Sequence, residues 1–505
     1  MLTRKSLAHE LGLLSCATPL FLSSCAMQQE PNLSRPNIIY ILADDLGYGD
    51  IKAMSDSSLI PTPNLDKMIA RGISFTDAHS NSSVSTPTRY GTLTGRYAFR
   101  TRLKSGALAG HEPALIEPGR ETAATLLRKN GYKTACIGKW HLGLDWERVD
   151  ASKPLYEGWP WDLKETSNVD YTKPVKGGPD EHGFDYSYIL PASLDIQPYV
   201  YIENGKLTSS NLSHIEEWQG ERGEWFRQGD VADNFYHQDC LQHFADRAVK
   251  YLEEETKTGE PYFLYFPITA PHTPWMPTEE FRGKSGAGIY GDFVCMVDDV
   301  VGQIYEALEK SGNADNTLVI FTSDNGSHWK DTDIAQYGHK ANGVLKGMKS
   351  DLWEGGHRIP FIATWPEVIE PGQTSDQMVC STDFLATCAA ITNTPLAEDA
   401  GEDSYSFFHA LKGEEDAING RKTMIYHSAD GHFGFRSAQW ALLACKGSGG
   451  WSLFESNAQQ LPDMQLYDLS DDIRQERNLF ESHPAKAAEM KELLDLQIAS
   501  GRSRM

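Results

Sequence analysis

Asn37-Ile38-Ile39-Tyr40-Ile41-Leu42-Ala43-Asp44-Asp45 is the stretch whose reading decides the fold. Apolar residues run through it without polar alternation, which marks a strand buried on both faces, as in a parallel sheet sandwiched by helices. It then ends abruptly in two carboxylates. The same pattern recurs downstream. Lys133 to Gly138 runs into Lys139-Trp140-His141, Pro261 to Pro267 into Thr269-Ala270-Pro271-His272, and Thr317 to Thr322 into Ser323-Asp324-Asn325-Gly326. Pro63 to Gly72, Thr122 to Asn130 and about 297 to 310 read as helices between strands, with Ile73 to Ala78 a further strand. Strands alternating with helices predict an α/β fold, a large mixed, mainly parallel sheet between helices. In such sheets ligands bind beyond the carboxyl ends of the strands, where these polar residues fall.

Working outward, residues 145 to 230 are rich in Trp, Tyr, Gly, Pro and Asp without clear periodicity and read as loops over the sheet edge that help build a pocket. After about residue 400 the texture changes. Met424 to Tyr426, Phe433 to Ser437, Trp440 to Cys445 and Gln465 to Leu469 read as short antiparallel strands, followed by a helix from Pro484 to Ala499. This predicts a catalytic α/β domain over 35–400 and a smaller α+β subdomain over 401–505.

A chain of 505 residues has ample capacity for a core, and its net charge of −24 argues against a nucleic-acid partner, which needs clustered Lys and Arg. An anionic substrate would then need positive potential concentrated in the pocket. Arg4 and Lys5, an apolar run from Leu11 to Leu22 and Leu22-Ser23-Ser24-Cys25 resemble a bacterial lipoprotein signal over 1–25, cut before a lipidated Cys25. An ordinary secretory signal and a weaker lipobox at Leu14-Ser15-Cys16 are the alternatives. Either way the protein is expected to be exported, and the lipoprotein signal would make it a periplasmic or cell-surface lipoprotein of a bacterium. Cys136, Cys240, Cys295, Cys380, Cys388 and Cys445 include no C-x-x-C pair and are expected to be free thiols.

Asp44, Asp45 and Asp324 with the carboxamide of Asn325 form an all-oxygen set suited to a hard divalent cation such as calcium. Each pair alone would read as an Asx turn or a helix cap; recurrence at equivalent strand ends favours the metal. The absence of Cys and of a His cluster from this set argues against zinc. His141 and His272 follow two strands of the same sheet and so should face one crevice, joined by the cations Lys139 and Lys349. Ser85-Thr86-Pro87-Thr88-Arg89-Tyr90-Gly91-Thr92-Leu93-Thr94-Gly95 could on its own be a turn leading into a short helix.

Taken with the Asp44-Asp45 pair, Gly138-Lys139-Trp140-His141-Leu142-Gly143, Pro271-His272, Ser323-Asp324-Asn325-Gly326 and the run from Gly347 through Lys349 to Trp353-Glu354-Gly355-Gly356, this stretch resembles the signature of the type I sulfatases, in the family's order and over nearly the whole mature chain. The resemblance implies an alkaline-phosphatase-like fold and oxidation of Ser85 to formylglycine by a maturation enzyme. It implies a divalent metal, calcium by the family's pattern, on Asp44, Asp45, Asp324 and Asn325, with the modified Ser85 completing the shell. Arg89, Lys139, His141, His272 and Lys349 fall on its sulfate-contacting and catalytic positions. The aldehyde hydrate would attack sulfur, His272 assisted by Lys349 would protonate the leaving sugar oxygen, and His141 would be the base that releases sulfate. A Ser-His-Asp hydrolase fits poorly, because Val84-Ser85-Thr86-Pro87 is no G-x-S-x-G elbow. Phosphatases of the wider fold usually hold two metals, and this chain offers a set for one.

Arg100-Thr101-Arg102-Leu103, Leu115 to Arg120 and Ala192 to Asn204 look like the branch of bacterial carbohydrate sulfatases related to N-acetylgalactosamine-6-sulfatase. That resemblance implies exo-removal of 6-O-sulfate from galactose or N-acetylgalactosamine of mucin or glycosaminoglycan fragments, with Arg102, Asp195 and His357 as candidate sugar contacts. Removal of 4-O- or 3-O-sulfate is the alternative. A lipoprotein that binds sulfated glycan without turnover would follow if Ser85 stays unmodified.

Overall fold

The computed structural model of the chain describes residues 35–163, 167–414, 420–452 and 461–504. The expected leader, 1–25, lies outside them. The described chain from Arg35 onward packs as one compact unit.

Ten strands form the main sheet: β1 (Asn37–Ala43), β2 (Ile73–Phe75), β3 (Lys133–Lys139), β4 (Tyr186–Leu190), β5 (Ile202–Glu203), β6 (Lys206–Leu207), β7 (Tyr262–Pro267), β8 (Thr317–Ser323), β9 (Phe361–Thr364) and β10 (Gln373–Ser375). Their order is β10-β2-β9-β8-β1-β7-β3-β4-β5-β6. The central run β8-β1-β7-β3-β4 is wholly parallel, while β9 and the β5-β6 hairpin run antiparallel. The sheet is therefore mixed and mainly parallel.

Every residue of β1 is buried, because each face meets its own helical layer. Ile39, Ile41 and Ala43 pack with residues of α4 (Cys240–Glu255) and α5 (Gly288–Ser311), as does Leu65 of α1 (Pro63–Arg71). Ile38, Tyr40 and Leu42 pack on the opposite face with α2 (Ser85–Thr94), α3 (Ala123–Lys129) and α6 (Phe384–Ile391). The strand's period of two thus feeds two cores.

A separate four-stranded antiparallel sheet follows: β11 (Thr423–His427), β12 (Phe433–Ser437), β13 (Trp440–Leu443) and β14 (Gln465–Asp468). Ile425, Phe435, Leu442 and Leu466 from its strands pack with Ala487, Met490 and Leu494 of α7 (Pro484–Ala499).

Three local expectations change. The 145 to 230 segment is not loop alone: it contributes β4, which extends the parallel core by one strand, and then β5 and β6. The helix expected from about 297 begins at Gly288, and its first turns carry two glycines, Gly288 and Gly291. The strand expected over Ile73 to Ala78 stops at Phe75, and Ala78–His79 pairs with Val379–Cys380 instead. The six described cysteines are buried and free. No described helix is long and apolar enough to cross a membrane.

Candidate active site

Strands β8, β1, β7 and β3 lie side by side and parallel, so their carboxyl ends form a row and the residues after them share one crevice. In a continuing strand, Asp44 and Asp45 would point to opposite faces. Asp45 instead adopts φ 67°, and carboxylate oxygens of Asp44 and Asp45 lie within 4.8 Å of each other and of a His272 ring nitrogen. Asn325 Nδ2 donates to Asp45 Oδ1 at 2.6 Å, and the Asp45 backbone N–H donates to Asp324 Oδ1 at 3.2 Å. The two acidic strand ends are thereby joined.

Helix α2 delivers Ser85 at its first position and Arg89 one turn later, a spacing that puts both on the same face. All ten residues of this helix are buried. Ser85 Oγ donates to Asp44 Oδ1 at 3.3 Å. Arg89 donates through Nε and Nη2 to Asp324 Oδ2 at 3.0 and 2.7 Å, and through Nη1 to the Lys139 carbonyl at 3.2 Å. Gly91 lets the helix pack: a Cβ there would sit 2.4 Å from Asn81 Oδ1, whose amide holds the Pro87 carbonyl.

Lys139 Nζ meets Asp44 Oδ2 at 2.6 Å and Lys349 Nζ meets Asp45 Oδ2 at 2.7 Å. Burial alone would push the Asp44 carboxyl up, but Lys139, His272 and Arg89 outweigh it and hold the group below its ordinary range. Burial lowers Lys139. Burial also disfavours charge on Lys349, yet the facing Asp45 and Asp44 raise it. His141 is pushed well below the usual imidazole value by burial and then by Lys139 and Arg89, so the ring is neutral. His272 stands with Nε2 3.7 Å from Asp45 Oδ2 and Nδ1 2.6 Å from the Thr273 carbonyl.

The donors fit a hard dication. Asp44, Asp45 and Asp324 converge as carboxylates, and Asn325 Oδ1 is buried with no hydrogen-bond partner among the described residues, an orphan that a cation would satisfy.

The remaining candidates divide. Asp195 reaches the site, 3.7 Å from His272 Nδ1, and Arg227 donates to its other oxygen at 2.6 Å. Arg102 is exposed and donates to the Pro113 and Ala114 carbonyls; it meets none of the residues above. His357 is not available to a sugar. Its ring is fully buried, Nδ1 faces His79 Nδ1 at 3.0 Å, and Nε2 faces the Leu352 carbonyl at 3.2 Å, which uses both nitrogens.

Two residues went unnoticed in the sequence. Ser193 Oγ lies 3.3 Å from Lys139 Nζ and 3.5 Å from His272 Nδ1. His328 lies within electrostatic reach of Lys349 and His272 and is kept neutral chiefly by burial, then by Arg222 and Lys349. The strand-end rule would have flagged Ser193 had β4 been recognised, and His328 follows Asn325 by three positions.

The chain is similar to known proteins along most of its length. A family model described as Sulfatase matches residues 36–394. An N-acetylgalactosamine-6-O-sulfatase of Bacteroides thetaiotaomicron is 30% identical, covering 92% of this chain and 93% of its own. Human steryl-sulfatase is 31% identical over 75% of this chain and 70% of its own. A solved structure from work on glycosaminoglycan metabolism by Bacteroides thetaiotaomicron superposes with a TM-score of 0.78 at 28% identity, covering 91% of this chain and 98% of that one.

Proposed function

The chain belongs to the sulfatase family and is a sulfuric ester hydrolase acting on carbohydrate, and on that premise we propose that it is an exo-acting 6-O-sulfatase on galactose or N-acetylgalactosamine of mucin or glycosaminoglycan fragments. The observation that carries the sugar and position is the near full-length match to a relative named for that activity. We further propose that the protein is exported and held as a lipoprotein through Cys25, and that Ser85 is its site of maturation to formylglycine.

Residue 85, matured to formylglycine, would supply a hydrated aldehyde as the attacking oxygen. Asp44, Asp45, Asp324 and Asn325 would hold a calcium ion, which would supply net positive charge for a sulfate monoester. That charge is needed locally, because three carboxylates here face three cations, Arg89, Lys139 and Lys349, and cancel. The three cations remain positioned to take up the sulfate oxygens as charge grows on them. An alkoxide is a poor leaving group, so a sugar oxygen must be protonated as the bond to sulfur breaks. His272 is placed for this, with Lys349 beside it on Asp45. His141, neutral and buried, is placed to take the proton whose loss accompanies sulfate release.

Mass spectrometry of the peptide containing Ser85, from a host able to oxidise serine, should show a species lacking two hydrogens. Finding unmodified serine with no desulfation would support binding without turnover instead. Assays on 6-O-, 4-O- and 3-O-sulfated galactose and N-acetylgalactosamine should favour the 6-O esters, and a preference for 4-O or 3-O would overturn the regiochemistry. Chelation should abolish turnover and lower the melting temperature, since an ion held only by the folded state at about 100-fold over its Kd adds about 2.7 kcal/mol. Calcium should restore both.

A further inference from the structure

Thr86, the residue after the nucleophile position, is fully buried and has no part in the chemistry above. A helix advances about 100° per residue, so on α2 Ser85 and Arg89 share the face toward the crevice while Thr86 is turned away from it. It meets a strap formed by residues 108–115. The Thr86 hydroxyl accepts the Leu108 N–H at 3.1 Å, and the carbonyl of the same leucine accepts from His141 Nε2 at 2.8 Å. Leu108 thereby joins the helix that bears residue 85 to the ring placed as the base.

The rest of the strap is fastened to the loop that follows His141. The Leu115 N–H donates to the Leu142 carbonyl at 2.9 Å, the Leu144 N–H to the Glu112 carbonyl at 3.0 Å, and Trp146 Nε1 to the Gly110 carbonyl at 3.1 Å. Gly110 lets the strap lie close against its neighbour, since a Cβ there would sit 1.9 Å from the Gln197 carbonyl. Strap and loop thus move as one piece, which Thr86 ties to α2 at Leu108. His141 Nδ1 is buried without a hydrogen-bond partner among the described residues, so the Leu108 carbonyl is the contact that decides which ring nitrogen carries the hydrogen.

Resting on the sulfatase reading with His141 as the base, we propose that Thr86 is a positioning residue: through Leu108 it fixes the tautomer of His141 and the place of that ring relative to residue 85. Without the hydroxyl, the buried Leu108 N–H loses its acceptor. An unpaired buried N–H is costly, so the segment turns to find another partner, and the carbonyl that holds His141 turns with it. The ring then populates both tautomers, and the form with hydrogen on Nδ1 cannot take up a proton there.

T86V keeps the shape of threonine and removes the hydroxyl, whereas T86S keeps the hydroxyl. Rates are expressed per formylglycine counted by mass spectrometry, because residue 86 adjoins the maturation site. T86V should lower kcat by about tenfold, the scale of one hydrogen bond, on the sugar sulfate turned over and on 4-nitrophenyl sulfate alike, and T86S should stay within about twofold of the parent. In an H141A background T86V should change the rate by less than about twofold, because the residue it acts through is gone; a merely structural contribution would multiply with H141A. Activity of T86V within about twofold of the parent, failure of T86S to restore it, or multiplying losses would overturn the positioning role. Activity of H141A within about twofold of the parent would instead defeat the base reading, and the ring itself then decides the positioning. In 15N spectra of the histidine-labelled serine form, with His141 assigned by the signals lost in H141A, the parent and T86S should show hydrogen on Nε2 and T86V a mixture of tautomers. Hydrogen on Nε2 alone in T86V would overturn the inference whatever the rates. T86A, which adds no bulk to the core, gives the same readings should T86V not fold.

Discussion

The nearest partner of one ring nitrogen in His272 and in His141 is a backbone carbonyl, and the two carbonyls fix the rings in opposite senses. A carbonyl only accepts, so His141 Nε2, 2.8 Å from the Leu108 oxygen, carries the hydrogen, and the buried Nδ1, without a partner among the described residues, is left as a lone pair. That is a base. His272 donates Nδ1–H to Thr273, which directs Nε2 toward the Asp45 side of the crevice, where a proton can be delivered. H272A should therefore lower kcat/KM on a sugar sulfate by about 10²–10⁴-fold, the usual scale for losing a general acid, and do much less on 4-nitrophenyl sulfate, whose leaving group needs no proton. H141A should lower both alike. Equal losses on both substrates for H272A would remove it from the acid role. Much of the site was legible because strand-end position and residue type are both written in the chain, as at Asp44 and Asp324. Tautomers are not, since they depend on carbonyls such as that of Leu108, far from His141 in sequence. His357 misled for the same reason: its partners His79 and Leu352 are set by packing.

At the scale of elements, the candidate site depends on how closely β3 and β7 approach where each hands over to a loop that lines it. Gly138 has φ 130°, and a Cβ there would sit 2.0 Å from the Pro267 carbonyl. G138A must push the two strand ends apart and displace Lys139 and the loop bearing His272 together. A shift near 1 Å in such groups costs about 10²-fold, so kcat/KM should fall by at least that while circular dichroism stays that of a folded α/β protein. Activity within twofold of the parent would show that the strand ends tolerate separation. The glycine also illustrates what sequence could convey about elements. β1, β3, β7 and β8 were legible because burial on both faces writes continuous apolar runs. β4 was hidden in a Tyr-rich segment, Tyr186-Ser187-Tyr188-Ile189-Leu190, and only its pairing with β3 makes it a strand. The start of α5 was hidden by glycines whose cost is met by tertiary contacts: a Cβ on Gly291 would lie 2.4 Å from Ser285 Oγ.

At the scale of the whole molecule, an acidic surface and an interior containing neutral histidines pull stability in a predictable direction with pH. Burial holds His111, His237 and His427 at about 4 and His357 at about 3, although Asp230, Asp195, the Ser428 carbonyl and Glu354 respectively oppose the shift. The unfolded chain takes up protons on the same residues near pH 6.5. Between roughly pH 6.5 and 4 the unfolded state thus binds more protons than the folded one, and stability falls as pH falls, by up to about 1.4 kcal/mol per pH unit for each histidine. The four together can remove several kcal/mol on going from pH 7 to pH 5, a large share of ordinary domain stability. Calorimetric melting temperatures should accordingly drop across that window and stay nearly level above pH 7.5. His237 is the residue to isolate the effect, because its ring stacks on Phe226 with centroids 4.0 Å apart, and phenylalanine keeps the stack while removing the proton acceptor. H237F should flatten the slope by about 1.4 kcal/mol per pH unit between pH 6 and 5. A slope identical to the parent's would mean that this imidazole does not remain neutral in the folded protein.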